Sequence, residues 1–195
     1  MLSSTTDLRV TLIIGSVRLD RFGPTVAAWA GQRILAHDGI SLDVLDLKEL
    51  DLPTGLDGSG DTGLLRSRID AADAFVVVTP EYNHGYPGFL KTAIDTVEGE
   101  WRAKPLGLVS YGGGAGGARS AEQLRQVFAE LEVVTVRQAV TLVRAWDLFD
   151  DAGRLLNSSG PDSAMRSMLD QVLWWGRALR AAREQPVPVG AGAEQ

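Results

Sequence analysis

Residues Ala74 to Thr79 read Ala-Phe-Val-Val-Val-Thr and run straight into Pro80. A run this apolar and β-branched, with no polar face, fits a strand covered on both sides, the habit of a central strand in a parallel sheet. Four more runs repeat the theme: Arg9 to Ile14, Ile40 to Leu47, Leu106 to Tyr111 and Val133 to Val140. Between and after them lie stretches at helical spacing, 25–36, 64–72, 87–97, 118–131 and 163–184. In 25–36, Trp29 and Ile34 are core candidates, and in the closing helix Met165, Met168, Leu169, Val172, Leu173 and Gly176 share one face. Strand and helix alternating five times specify an α/β fold, a doubly wound parallel sheet with helices on both faces. At this length the five-strand order 2-1-3-4-5 is favoured over a six-strand dinucleotide-binding order.

The chain has 195 residues, which suits one domain over 1–185, with a Pro- and Gly-bearing tail, 186–195, expected to be disordered. A net charge of −6 argues against nucleic acid as a partner. The absence of Cys removes disulfides, thiolate nucleophiles and Cys-ligated metals. With two His, at 37 and 84, a His-rich metal centre is not expected either. Met1 to Asp7 lacks the features of a secretory signal, and no apolar run reaches the roughly 20 residues of a membrane span. A cytoplasmic enzyme or carrier is the expectation.

In a sheet of this order, ligands collect beyond the carboxyl ends of the strands where the order reverses, between strands one and three. The loops after strands one, three and four are the three oddest segments of the chain. The first, Gly15 to Thr25, leaves a buried strand and enters a helix, whose free N–H groups attract an anion. Ser16, Arg18, Arg21, Phe22 and Gly23 lie in it, the two Arg offering planar forks for phosphate. It is neither a Walker A loop nor a Gly-x-Gly-x-x-Gly turn. A plain strand-to-helix turn with two solvated Arg is the alternative.

The second loop crowds Pro80, Glu81, Tyr82, Asn83, His84 and Tyr86 into one turn. An Asn amide suits the polar edge of a planar heterocycle, and Tyr rings suit its face. These aromatics also suit a plug for the sheet end or a subunit contact. In the third, Tyr111 is followed by Gly112, Gly113, Gly114, Ala115, Gly116 and Gly117. So many Gly are costly unless backbone passes close to something or adopts positive φ. A flat ligand against bare backbone accounts for them, and a ligand-free hinge is the alternative.

Gly15-Ser16-x-Arg18, Pro80-Glu81-Tyr82-Asn83 with Pro87-Gly88-x-Leu90-Lys91-x-Ala93-Ile94-Asp95, and Ser110-Tyr111-Gly112-Gly113 together resemble the NADPH-dependent FMN reductase family. The match runs in one consistent order over roughly residues 9 to 145. The resemblance implies a flavodoxin-like fold, tightly but non-covalently bound FMN, and a homodimer or homotetramer. Its donor would be NADPH or NADH, and its acceptor a small molecule: flavin, quinone, azo compound or metal oxyanion. Ser16 and Arg18 would meet the FMN phosphate, with Arg21, Phe22 and Gly23 standing where many members carry Ser and Asn. Pro80, Glu81, Tyr82 and Asn83 would line the ribityl chain and ring, with His84 narrowing the acceptor pocket. Tyr111, Gly112 and Gly113 would approach the pyrimidine edge. No side-chain acid, base or nucleophile is required, so no catalytic residue and no metal ligand is assigned. Two other functions suit the same fold, a flavodoxin-type electron carrier and a flavin-free regulatory or interaction protein.

Overall fold

The protein is described by a computed structural model in which residues 7–185 are placed; the tail expected to be disordered lies outside the described residues. Strand β1 (Leu8–Ile14) leads to helix α1 (Gly23–Leu35), β2 (Ile40–Asp46), α2 (Thr62–Asp70) and β3 (Ala74–Pro80). Then follow α3 (Gly88–Thr96), β4 (Pro105–Gly112), α4 (Ala118–Glu130), β5 (Val134–Val143) and α5 (Ser159–Arg183). All pairings are parallel, in the order β2-β1-β3-β4-β5, as the alternation of elements requires.

Burial follows position in the sheet. Every residue of the central β3 is buried, whereas edge strand β5 mixes buried and open positions. Alternate residues of β1 serve opposite layers. Leu8, Val10, Leu12 and Ile14 face α1 and α5, joining Trp29, Ile34, Met165, Met168 and Leu169. Ile13 faces the other way, into the layer built from α2, α3 and α4. There Trp101 stands edge-on to Phe75 and Phe128, with centroids 4.8 and 5.4 Å apart, and its indole N–H donates to the Val97 carbonyl. Pairs of this geometry add about 1 kcal/mol each beyond simple burial.

The two largest departures from the pattern-based element ends are in β5 and α5. β5 continues three residues past Val140, because Thr141, Leu142 and Val143 pair with Ser110, Tyr111 and Gly112. α5 begins at Ser159 rather than 163, with Gly160 and Pro161 inside its first turn. Pro is tolerated there because first-turn N–H groups have no intrahelical acceptor. Among the described residues no helix is long and apolar enough to cross a membrane.

Candidate active site

The carboxyl ends of β1, β3 and β4 open into a cleft of about 470 Å³, at the point where the strand order reverses. Its walls come from all three unusual loops. Arg18, Leu19, Arg21 and Phe22 form one side, Pro80, Glu81 and Tyr82 another, and Tyr111, Gly112 and Gly113 the floor and far rim. Trp146, from the turn after β5, completes the wall.

The first loop is open to an anion. Among the described residues, no backbone N–H from Ser16 to Gly23 is hydrogen-bonded to an acceptor within the protein, and Val26 is the first amide of α1 with a backbone partner, Phe22 O. The first turn of α1 holds no acidic residue, so its positive dipole end is uncompensated. The two Arg have different circumstances. Arg18 is exposed and its guanidinium lies over the Tyr82 ring, 5.2 Å from the centroid. Arg21 is spent internally: it makes a two-pronged ion pair with Asp46, at the end of β2, and donates to the Ser16 carbonyl. Those contacts raise the Arg21 pKa and fix the loop's curvature, leaving Arg18 as the guanidinium turned to solvent.

Ser16 and Gly23 lie beneath the cleft. Ser16 is fully buried and its hydroxyl oxygen accepts from the Tyr111 hydroxyl at 3.2 Å. A side chain at Gly23 would collide with Ser16 Oγ and come within 3.0 Å of the Tyr111 hydroxyl, so Gly is needed there for packing. Burial pushes the Tyr111 pKa up to about 12, keeping the phenol protonated and donating. The Phe22 ring packs edge-on to Phe149, 5.5 Å away, sealing this corner.

In the second loop, Tyr82 and Gly85 exchange backbone hydrogen bonds of 2.8 and 3.1 Å, closing a two-residue hairpin. Its central residues, Asn83 and His84, both have positive φ, 51° and 71°, the signature of a type I′ turn. The Gln123 side chain, from α4, donates to the His84 carbonyl and holds the tip. Asn83 and His84 are exposed and outside the cleft lining. Glu81 points the other way: its nearly buried carboxylate accepts from the Arg119 amide and Nε, tying the loop to the start of α4.

The Gly-rich turn divides into two functions. Gly116 and Gly117 have φ of 59° and 84°, and a side chain at Gly117 would come within 2.8 Å of the Tyr111 amide nitrogen. Those two glycines are dictated by the fold. Gly112 and Gly113 instead give the cleft bare backbone, and the amides of Gly113, Gly114 and Ala115 have no acceptor among the described residues.

Trp146 is a wall residue that the sequence pattern does not single out. A large aromatic soon after a strand is a usable signal, but a strand ending at Val140 places Trp146 away from the sheet rim. Among the described residues no group of His, Cys, Asp and Glu is arranged to hold a metal ion.

A five-stranded sheet of this order, with a ligand cleft at its switch point, defines the flavodoxin-like class of α/β proteins. Solved structures agree on the fold: the flavoenzyme NAD(P)H:acceptor oxidoreductase FerB of Paracoccus denitrificans superposes with a TM-score of 0.71, at 21% identity, over 87% of this chain and 98% of its own. Within that class the chain belongs to the NADPH-dependent FMN reductase family, whose model matches residues 8–147. An NAD(P)H-dependent FMN reductase of Schizosaccharomyces pombe is 39% identical over 149 residues, 70% of this chain and 74% of that one. A quinone reductase of Pseudomonas putida is 30% identical over 184 residues, 88% and 96% of the two chains.

The cleft fits FMN on its own terms. A phosphate needs N–H donors and a cation, which the 16–23 amides, the α1 terminus and Arg18 supply. A flat ring needs a wall without Cβ atoms and an aromatic neighbour, which Gly112, Gly113 and Tyr82 supply.

Proposed function

We propose that this protein is an FMN-dependent NAD(P)H oxidoreductase whose acceptor is a small molecule of the flavin or quinone type. One observation carries the reading: three loops distant in sequence meet at a single cleft, with anion-binding groups and bare, aromatic-flanked backbone both in its lining. When bound, FMN supplies the redox chemistry, taking a hydride from the nicotinamide donor and passing two electrons to the acceptor.

The residues contribute binding and orientation. Arg18 and the free amides of the first loop hold the phosphate. Asp46 and Arg21 keep that loop in the shape that presents those amides. Tyr82 covers part of the cleft, and the amides beside Gly113, which have no acceptor among the described residues, would offer positive dipole ends to a bound ring. Tyr111, held neutral, steadies Ser16 from below and gives up no proton. Support for this reading over a simple electron carrier comes from the quinone reductases among the relatives. The resemblance also supports a homodimer or homotetramer, which light scattering measures, and a cytoplasmic setting is part of the same proposal. The deciding experiment is an absorption spectrum of the purified protein, then anaerobic addition of NADPH and NADH in turn. A yellow protein that bleaches with either is expected; a colourless one that takes up no added FMN refutes the proposal.

A further inference from the structure

We infer that Leu19 and Trp146 form an apolar clamp at the mouth of the cleft that selects planar, ring-bearing acceptors over compact anions. The inference rests on the oxidoreductase reading above and adds which residues set the acceptor class.

Large hydrophobic side chains left in water are costly, by about 25 cal/mol for each Å² of apolar surface. Leu19 is 82% exposed and Trp146 56% exposed, and both line this one cleft. Neither is exposed for want of a defined backbone. The turn bearing Trp146 is pinned to the Gly-rich loop by the Arg144 amide, which donates to Gly113 O at 3.1 Å. Arg144 itself takes positive φ, 49°, and closes the turn through Asp147, by the Asp147 amide and the ion pair between their side chains. Ala145 before the indole is fully buried, and Leu148 after it packs on the core. The turn therefore faces the core with those two and holds the indole over Gly113, where a Cβ would come within 3.7 Å of Trp146 Cη2.

Leu19 occupies the corresponding place in the first loop, between exposed Arg18 and Asp20, whose φ is 52°. The charges nearby leave little for a second, compact anion: Arg21 is consumed by Asp46, Arg18 is taken up by the FMN phosphate in the reading above, and Asp20 is itself negative. A flat ring entering the mouth would instead cover both apolar side chains at once. Its reduction balances without further reagents. A 1,4-quinone receives two electrons and one proton from NAD(P)H as a hydride equivalent, and one proton from water, giving the hydroquinone and NAD(P)⁺.

The test compares kcat/KM for 1,4-naphthoquinone with that for ferricyanide, a compact anion, in FMN-loaded wild type, Trp146→Ala, Trp146→Phe and Leu19→Ser. The naphthoquinone-to-ferricyanide ratio is expected to fall about tenfold in Trp146→Ala, the size of one lost aromatic contact, and to recover most of the way in Trp146→Phe. Leu19→Ser is expected to lower it about threefold, as a smaller apolar surface. A ratio within twofold of wild type in both Trp146→Ala and Leu19→Ser overturns the clamp. A second readout is independent of turnover and of flavin: naphthoquinone should quench tryptophan emission of a flavin-free Trp174→Phe chain, in which Trp146 is the exposed indole among the described residues, and adding Trp146→Phe should remove most of that quenching. If the protein holds no FMN yet this quenching is lost in Trp146→Phe, the oxidoreductase reading fails and takes the acceptor role with it, leaving only ring binding at Trp146. If FMN binds normally and the quenching is indifferent to Trp146, the clamp fails alone.

Discussion

The two ends of the sheet are built on opposite principles. At the amino end, the charges are answered by partners. Asp73, just before β3, accepts from the Arg9 amide at 3.0 Å and from Arg180 and Arg183, which descend from the end of α5. Burial opposes ionisation of Asp73, but those hydrogen bonds and the two guanidinium charges outweigh it and hold its pKa below the usual carboxylate value. Lys104, also nearly buried, donates to the last carbonyls of α2, Ile69 O and Asp70 O, at 2.8 Å each. At the carboxyl end, a run of amides, the start of α1, Arg18, Leu19 and Trp146 are left open. The amino end is closed by its own residues, while the carboxyl end is shaped by them and left for something else. The contrast teaches where function sits, because a concave site lined by open amides, a cation and apolar side chains is the kind of place a ligand occupies.

The hardest way to break the contrast is Gly117→Ala. Positive φ and a methyl group pressed on the Tyr111 amide should cost about 4 kcal/mol, read from the urea midpoint, and abolish flavin retention. Next comes the difference between two arginines of one loop. Arg21→Ala strands the largely buried Asp46 carboxylate and should lower stability by about 3 kcal/mol. Arg18→Ala should leave stability within about 0.5 kcal/mol, because its side chain is exposed. It should nonetheless weaken FMN binding at least about tenfold, measured by flavin fluorescence, through loss of a charge-assisted phosphate contact. Equal stability losses in the two variants would erase the distinction between them.

The smallest effect sharpens the amino end. Burial pushes the Lys104 pKa down to about 8, with Arg183 adding to the shift. The unfolded chain, with a lysine pKa near 10.4, therefore binds more protons than the folded one above pH 8. Stability from this group is complete above about pH 10.4 and is lost as pH falls through about 8. Wild type should gain about 1 kcal/mol from pH 8 to pH 9 relative to Lys104→Met, by denaturant unfolding at each pH. A parallel pH dependence in the two proteins would place the Lys104 charge in water rather than against α2.

What the sequence displays is whatever depends on local pattern. Ala-Phe-Val-Val-Val-Thr announces a doubly covered strand, and the five alternations specify a doubly wound parallel sheet, with the chain's length favouring the observed order. The three odd loops are legible because each breaks the expectation for a simple connection. Roles that depend on distant partners are not. Arg21 and Arg18 look alike in the chain, and only Asp46, 25 residues beyond Arg21, separates them. Glu81 lines the cleft, but the sequence does not show that Arg119, 38 residues later, takes its carboxylate. Asn83 and His84 stand out in the chain as polar groups, whereas their backbone conformation is what the turn employs. Trp146 is hidden by three residues of β5 whose polar-apolar mix is normal for an edge strand.

The tie between Glu81 and Arg119 has a consequence for how any guest sits. Helices α1, α3 and α4 begin on this side of the sheet, and each would ordinarily attract negative charge. By placing its own carboxylate against α4, the protein neutralises that helix start and leaves α1, beside Arg18, as the positive pole of the first loop. The socket is thereby made asymmetric, and a molecule with a single anionic end can enter it only one way round.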